Sequence, residues 1–227
     1  MPEKPATMIA ALQHADTVFP SGSVSFSWGL EALYNRGVVA NRSTLNAFAA
    51  AHIQGRWATL DRVILVHAYR AGDNLQSICA LDALSEAQSL SSEQRVGSSR
   101  MGMAFLRTHQ KLGTPLADDY AALINRDEAY GHMPVVQGLM WGQLGFEESQ
   151  IQAMAVHGIC TGLLSAAVRL SIIGHVDAQA IHSGLLPRIA RILSVPVCRA
   201  EEAHSFIPQI EIASMNHETD EMRLFAN

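Results

Sequence analysis

The sequence predicts an all-α protein, a single globular domain of about eight to ten helices packed around a central buried helix. Apolar residues recur at steps of three and four, the spacing of a helical face, and period-two alternation is nearly absent. Glycine and proline separate these runs, as expected where helices begin and end. Hydrophobic residues make up 48 % of the chain and charged residues 16 %, which excludes intrinsic disorder as the main state.

Length and charge fit one soluble domain over residues 1–227. The net charge is −5, and no repeat, low-complexity segment or linker divides the chain. The low charged fraction predicts that a partner or a second copy covers part of the apolar surface. The acidic balance argues against nucleic acid. Three widely spaced cysteines fit a reducing cytoplasm rather than a disulfide framework.

The first long helix is predicted from a run of apolar residues that starts at Leu45. The run continues at helical steps to His67, and Gly72 ends it. Ser43 is the expected N-cap, because its hydroxyl can accept a hydrogen bond from a free amide of the first turn.

The middle of the chain divides into further helices at its glycines and prolines. They are predicted over residues 75–90, 92–112, 114–130, 134–144 and 148–170. Gly113 and Gly145 end two of them, and Pro115 is expected at a first helical position, where no amide donor is needed. Glu147 and Glu148 are expected in the first turn of the last one, where negative charge suits the helix dipole.

The helix over residues 148–170 is the most apolar of the chain. Polar residues interrupt it, so it is interpreted as a buried soluble helix and not as a membrane span. Gly158, Gly162 and Ala166 are four residues apart and share one face. Such a face permits close approach of another backbone, either within the chain or at a dimer seam.

The last part of the chain is expected to be less regular. Asp177 is expected to cap a helix that reaches Leu193 and is broken at Pro187. Pro196 and Pro208 bound an irregular stretch, and the polar tail that follows carries Leu224-Phe225 near its end. We expect both ends of the chain to become ordered only on a partner.

Several catalytic motifs are absent from the sequence. Neither lysine, Lys4 nor Lys111, follows a glycine, so there is no phosphate-binding loop of the Gly-Lys-Ser/Thr type. The sequence has no Gly-x-Ser-x-Gly, His-Glu-x-x-His or Cys-x-x-Cys motif, and its ten histidines form no i, i+4 pair. These absences favour a binding protein over an enzyme.

Helix packing does not explain three segments. The first carries Leu12, Gln13, Ala15, Asp16, Pro20, Gly22, Ser25, Ser27, Gly29, Leu30 and Glu31. The second carries Gly-His-x-Pro-Val-x-x-Gly over residues 131–138 and Ser-Ala-Ala-x-Arg-Leu over 165–170. The third carries Ile-Ala-Ser-Met-x-His-Glu-Thr over 212–219 and Arg-Leu-Phe over 223–225. Together these segments resemble the urease accessory protein F (UreF) family, whose opening run matches the first segment at the residues given. Phe26 stands where the family tends to have histidine.

The resemblance implies a cytoplasmic, dimeric, non-catalytic chaperone of urease maturation. Such a protein binds UreD (also called UreH), recruits the GTPase UreG and helps to carry nickel to the urease apoprotein. It has no resident cofactor, nickel passes only transiently, and neither nucleic acid nor a membrane is expected as a partner.

The resemblance also assigns roles to the segments. We expect the tail to contact UreD through Ser214, Met215, His217, Glu218, Thr219, Arg223, Leu224 and Phe225, with Arg223 and Phe225 as anchors. We expect the first segment to face UreG through Pro20, Gly22, Ser25, Ser27, Gly29 and Glu31. A dimer or structural role is expected for His132, Gly158, Gly162, Ala166 and Arg169.

Two other functions stay open at this point. A GTPase-activating protein for UreG would supply Arg169 or Arg223 in trans. A metal-dependent hydrolase would gather dispersed ligands in a closed pocket. For His132 and His217, a capping or hydrogen-bonding role is preferred over a nickel contact, because a lone imidazole binds metal weakly.

Overall fold

The protein is all-α, as predicted. A computed structural model describes residues 5–22, 26–217 and 224–225, and these contain no strand. The α-helices are α1 Pro5–Ala15, α2 Leu30–Asn35, α3 Arg42–His52, α4 Arg62–Ala71, α5 Leu75–Gln88, α6 Ser92–Lys111, α7 Ala117–Asn125, α8 Met133–Gln143, α9 Glu148–Arg169, α10 His175–Leu193 and α11 Pro208–His217. A π-helix, Ile53–Asp61, joins α3 to α4 without a break, and a 3₁₀ turn forms over Ala200–Glu202.

The central helix is α8, which α4, α5, α6 and α9 all contact. Gly138 lets α8 and α4 approach closely, because a Cβ atom at this position would clash with the Leu65 carbonyl oxygen and lie 2.8 Å from the Cβ of Ala68 on α4. Trp141 fills the space one turn further along and is fully buried. The small and large residues of α8 therefore decide how tightly its neighbours surround it.

Helix α9 links the two parts of the hydrophobic core. Its first half contributes Ile151 and Met154 to a core built mainly from α4, α6, α7 and α8. Its second half contributes Leu163 and Ala167 to a core built from α2, α3, α10 and α11. One helix of the described chain matches a membrane span in length and apolar composition, and it is α9, whose most apolar window is 56 % buried inside the protein. Burial in the core accounts for its apolar composition.

The π-helix forms wider turns within the continuous helix from α3 to α4, and residues 204–206 form backbone hydrogen bonds with it. The amides of His204 and Phe206 donate to the carbonyls of Thr59 and Gly55, at 3.0 and 2.7 Å. A π-helical turn departs from the regular i to i+4 hydrogen bonding, and the carbonyls of Thr59 and Gly55 accept hydrogen bonds from outside the helix. The same turn places Arg56 inside the protein.

Two predicted helix starts are wrong. Helix α3 begins with Asn41 as N-cap and not Ser43, because the Asn41 carboxamide accepts from the amides of residues 43 and 44. Helix α7 begins at Ala117 and ends at Asn125 instead of running from Pro115 to residue 130. The Thr114 hydroxyl bonds the ring of His109 at 2.9 Å, which holds this segment as a turn after α6.

The predicted break at Pro187 is also wrong. Helix α10 runs unbroken from His175 to Leu193, and its N-cap is Gly174, which leaves Asp177 in the first turn. Proline removes the hydrogen bond to the carbonyl four residues earlier. That residue, Ser183, is exposed, so water can satisfy the carbonyl.

The first and last helices of the described chain lie on the protein body, and the expectation that the chain ends become ordered only on a partner stays a prediction. Helix α1 packs against α9, and α11 packs against α2 and α6. Ala213 is buried, so apolar contacts within the chain account for the position of α11. Residues 1–4, 218–223 and 226–227 lie outside the described part.

Candidate functional site

Two of the three family-like segments meet at the carboxylate of Glu31. This residue lies in the first turn of α2 and is only 4 % exposed. Its two oxygens accept hydrogen bonds from the backbone amides of Leu224 and Phe225, at 2.7 and 3.1 Å. A carboxylate that receives two amides holds them more strongly than a neutral acceptor does. Glu31 thus fixes the end of the chain to the start of α2.

The second family-like segment contacts the end of the tail through Arg169. The guanidinium carbon of Arg169 lies 4.1 Å from the ring centroid of Phe225, a cation–π contact. Phe225 is buried, whereas Arg169 stands exposed at the end of α9. Partial burial lowers the pKa of Arg169 below its ordinary value. We call Glu31, Arg169, Leu224 and Phe225 the tail clamp.

A glycine turn positions the start of α2 against α11. Gly29 is the N-cap of α2 with φ of +80°, a conformation that favours glycine. A Cβ atom on Gly29 would lie 2.9 Å from the Ser214 hydroxyl, so only glycine lets α11 approach this closely. Ser27 and Ser214 are both fully buried at this junction.

The Gly131-His132 segment is held by a carboxylate that the sequence reading missed. Asp82 is fully buried on α5. It accepts hydrogen bonds from the Tyr120 hydroxyl at 2.8 Å and from the amides of Tyr130, Gly131 and His132 at 2.6, 2.7 and 3.0 Å. These bonds satisfy backbone donors just before α8, so this motif starts the central helix at a fixed place.

The ring of His132 takes part in a chain of polar contacts. Its Nε2 atom lies 2.9 Å from a carboxylate oxygen of Glu86, and the other oxygen of Glu86 pairs with Arg95 at 3.1 Å. His132 is fully buried and is the N-cap residue of α8. Its contacts within the chain are those of a structural residue.

The small-residue face of α9 is open within the chain. No heavy atom lies within 4 Å of a Cβ atom built on Gly158 or Gly162, so neither glycine serves close packing inside the described chain. Ala166, the third member, is fully buried. Gly158 and Gly162 border a partly open cavity of about 260 Å³. Of the two roles considered for this face, close packing inside the chain does not hold at the glycines.

A buried ion pair lies beside this cavity. Arg56 is 2 % exposed, and its Nε atom lies 3.4 Å from a carboxylate oxygen of Asp61. The other guanidinium nitrogens donate to Gln94 at 3.0 Å and to Ser89 at 3.2 Å. Desolvation raises the pKa of Asp61, and the nearby charge of Arg56 opposes the shift. The guanidinium is thus committed to partners of its own chain.

The sequence-predicted tail residues divide between inside and outside. Met215 and Leu224 are exposed, at 41 % and 62 %, whereas Ser214 and Phe225 are buried. The structure describes only the backbone of His217, at the end of α11. Glu218, Thr219 and Arg223 lie outside the described residues.

The first segment divides in the same way. Pro20 and Gly22 are exposed, and Ser27, Gly29 and Glu31 are buried. Ser25 lies outside the described residues. In this conformation Ser27 is fully buried and Glu31 accepts the amides of Leu224 and Phe225, so their contact with UreG stays a prediction.

The described residues contain no group of three or more histidine, cysteine, aspartate or glutamate side chains that could hold a metal ion. Among the cysteines, Cys198 is exposed and Cys160 is buried. Burial raises the pKa of Cys160 to about 12, so its thiol stays protonated near neutral pH.

Comparison with known proteins gives a consistent result over nearly the whole chain. The sequence model of the UreF family matches residues 39–186. The urease accessory protein UreF of Trichodesmium erythraeum is 30 % identical over 226 residues, which cover 96 % of each chain. The proteins of the same name from Cereibacter sphaeroides and Yersinia enterocolitica are each 28 % identical, covering 97 % of this chain and 98 % of their own. The chain belongs to the UreF family of urease accessory proteins.

Proposed function

We propose that this chain is a non-catalytic scaffold that binds UreD, recruits the GTPase UreG and so supports nickel delivery to the urease apoprotein. In this proposal it acts in the cytoplasm as a homodimer and holds no resident cofactor. The general role in urease maturation follows from the family. The observation that carries the finer proposal is the tail clamp, which brings family-like segments from the start, middle and end of the chain to one place.

The tail clamp offers a partner both exposed and covered groups. Arg169 and Leu224 are accessible from outside, and Phe225 is covered. Arginine and aromatic side chains commonly dominate the energy of an interface. Phe225 can serve as such an anchor only if the partner draws it out of the clamp. Glu31 then acts on UreD binding through the tail and not by direct contact.

The open glycine face of α9 supports the homodimer. Gly158 and Gly162 have free space beside them, and a second backbone could approach there. Closed two-fold dimers are the commonest assemblies of soluble chains. Replacing both glycines with leucine should give a folded monomer in light scattering.

The experiment that tests the scaffold is co-expression of this chain with UreD and UreG, followed by size exclusion with light scattering, with and without GTP and nickel. A defined complex with two copies of this chain is expected. A chain that elutes alone and carries stoichiometric metal would refute the scaffold and favour the hydrolase.

Truncation then locates the UreD contact. A chain ending at residue 217 keeps α11 and its buried Ser214, and loses Leu224 and Phe225. It should fold and fail to bind UreD. A full-length Leu186→Ala variant, which shortens an exposed side chain on α10, is the control and should bind as the unaltered chain does. Equal UreD binding by the truncated chain would refute the role of the tail end.

Activation of the GTPase is the second candidate, because Arg169 is an exposed residue. Its stacking on Phe225 within the same chain favours a structural use. UreG turnover measured with the unaltered chain and with Arg169→Ala separates the two. A scaffold gives little acceleration in either case, whereas an arginine finger is typically worth a factor of about 10³ or more.

A further inference from the structure

One stripe of α6 carries basic side chains that no acidic side chain of the described chain neutralises. Arg100, Arg107 and Lys111 are exposed. They share one face of the helix because their spacings of seven and four residues are close to whole turns. Within residues 5–22, 26–217 and 224–225, none of the three forms an ion pair or a side-chain hydrogen bond.

The charge of this helix is opposite to that of the rest of the protein. Helix α6 has four basic residues and one acidic residue, a net charge of +3, whereas the whole chain carries −5. The remainder therefore carries −8. The fourth basic residue, Arg95, pairs with Glu86, which also contacts His132, so this carboxylate is already engaged.

Apolar side chains lie among the cations. Val96 and Met103 belong to the same stripe, and Tyr130, which is 48 % exposed, stands beside it. Together with Arg100 and Arg107 they line a shallow groove of about 480 Å³. The hydroxyl of Ser99 donates to the carbonyl of Tyr130, which holds the second wall of the groove against α6.

We propose that this stripe binds an acidic amphipathic segment of a partner protein. The ligand that fits is a helix with carboxylates one and two turns apart and an apolar side chain between them. Arg100 and Arg107 are about 10 Å apart along the axis and Lys111 about 6 Å further, which matches turns of a facing helix. Carboxylates opposite these cations supply the charge that the stripe lacks.

The small number of cations in the stripe favours a protein ligand over nucleic acid or a membrane surface. Nucleic-acid binding of useful strength neutralises many phosphates over an extended basic face. Recognition of anionic lipid typically uses about four to eight clustered basic residues. Three cations interleaved with Val96 and Met103, on an otherwise acidic protein, suit a single amphipathic helix better.

The direct test uses a fluorescein-labelled helical peptide of about six turns, with glutamates spaced to face the three cations. Its matched control replaces every glutamate with glutamine. In fluorescence anisotropy at low salt, the glutamate peptide should bind the full chain more tightly than the glutamine peptide. The triple variant R100Q/R107Q/K111Q should weaken that binding about tenfold.

A second variant separates the stripe from overall charge. R36Q/R188Q/R191Q changes the net charge by the same amount at basic residues away from α6, and it should bind as the unaltered chain does. Equal weakening by both triple variants would overturn the proposal. Tighter, stripe-dependent binding of a single-stranded oligonucleotide or of phosphatidylglycerol vesicles than of the peptide would also overturn it.

Carbodiimide cross-linking tests the stripe inside the assembly, and this arm alone rests on the proposed function. The reagent joins amines to carboxylates at zero length, and Lys4 and Lys111 are the only lysines of the chain. Lys111 should cross-link to aspartate or glutamate of a partner in the complex with UreD, UreG and urease apoprotein. Cross-links from Lys111 only to this chain's own carboxylates would overturn the proposal. If no complex forms, the proposed function fails while the peptide experiment still decides the stripe.

Discussion

Replacement of Glu31 by glutamine should release the end of the chain from the tail clamp. The carboxylate accepts the amides of Leu224 and Phe225 at 2.7 and 3.1 Å, one on each oxygen. Glutamine keeps one acceptor and turns an NH₂ group toward the other amide. A hydrogen bond to a charged group contributes about 1.5–3 kcal/mol. We therefore expect the docked tail to lose about 2 kcal/mol, or roughly a thirtyfold shift toward the released state.

Hydrogen exchange of the Leu224 and Phe225 amides measures this shift. In Glu31→Gln both amides should exchange roughly thirtyfold faster than in the unaltered chain, because exchange follows local opening. Glu211→Gln is the matched control. Glu211 is equally buried on α11, but its carboxylate accepts from the Ser205 hydroxyl, 3.0 Å away. Unchanged exchange of both tail amides in Glu31→Gln would refute the clamp.

Three further predictions concern buried residues that hold the helices in place. In thermal unfolding, Asp82→Asn should lower Tm by about 2–8 °C. The oxygen that remains keeps the three hydrogen bonds made to Oδ2, whereas the amide of His132 faces an NH₂ group in place of Oδ1. Asp82→Ala should lower Tm by at least ~10 °C, and equal values for the two would contradict this account. Gly138→Ala should destabilise by about 1–3 kcal/mol through overpacking against the Leu65 carbonyl and Ala68. Gly184→Ala, at an exposed helical glycine with free space beside it, should instead stabilise by about 0.5–1 kcal/mol, and equal effects would refute the close approach of α8 and α4. Desolvation lowers the pKa of His109 to about 4 in the folded chain, so the stability it contributes is complete above its ordinary pKa of 6.5 and is lost as the pH falls toward 4. His109→Asn should reduce the slope of unfolding free energy against pH in this window by up to ~1.4 kcal/mol per pH unit, and an unchanged slope would argue against a neutral buried ring.

The amino-acid sequence by itself determined the fold class and the position of most helices. The predicted helices over residues 75–90, 92–112, 134–144 and 148–170 lie within one or two residues of those observed. Hydrophobic periodicity and glycine stops act within a few turns of chain, so they can be read locally. The family could also be predicted from the sequence, because its motifs occur in order along the chain.

Only the tertiary structure decided which residues form the site. Glu31 and Phe225 are 194 residues apart, and their hydrogen bond follows from the packing of α2, α9 and α11 together. No local pattern distinguishes the buried Asp82 from an exposed aspartate, because its role depends on amides supplied by a segment 48 to 50 residues later. The open space beside Gly158 likewise depends on which helices pass α9. Local sequence controls backbone conformation, whereas burial and pairing depend on elements distant in sequence, and these become visible only once the helices are packed.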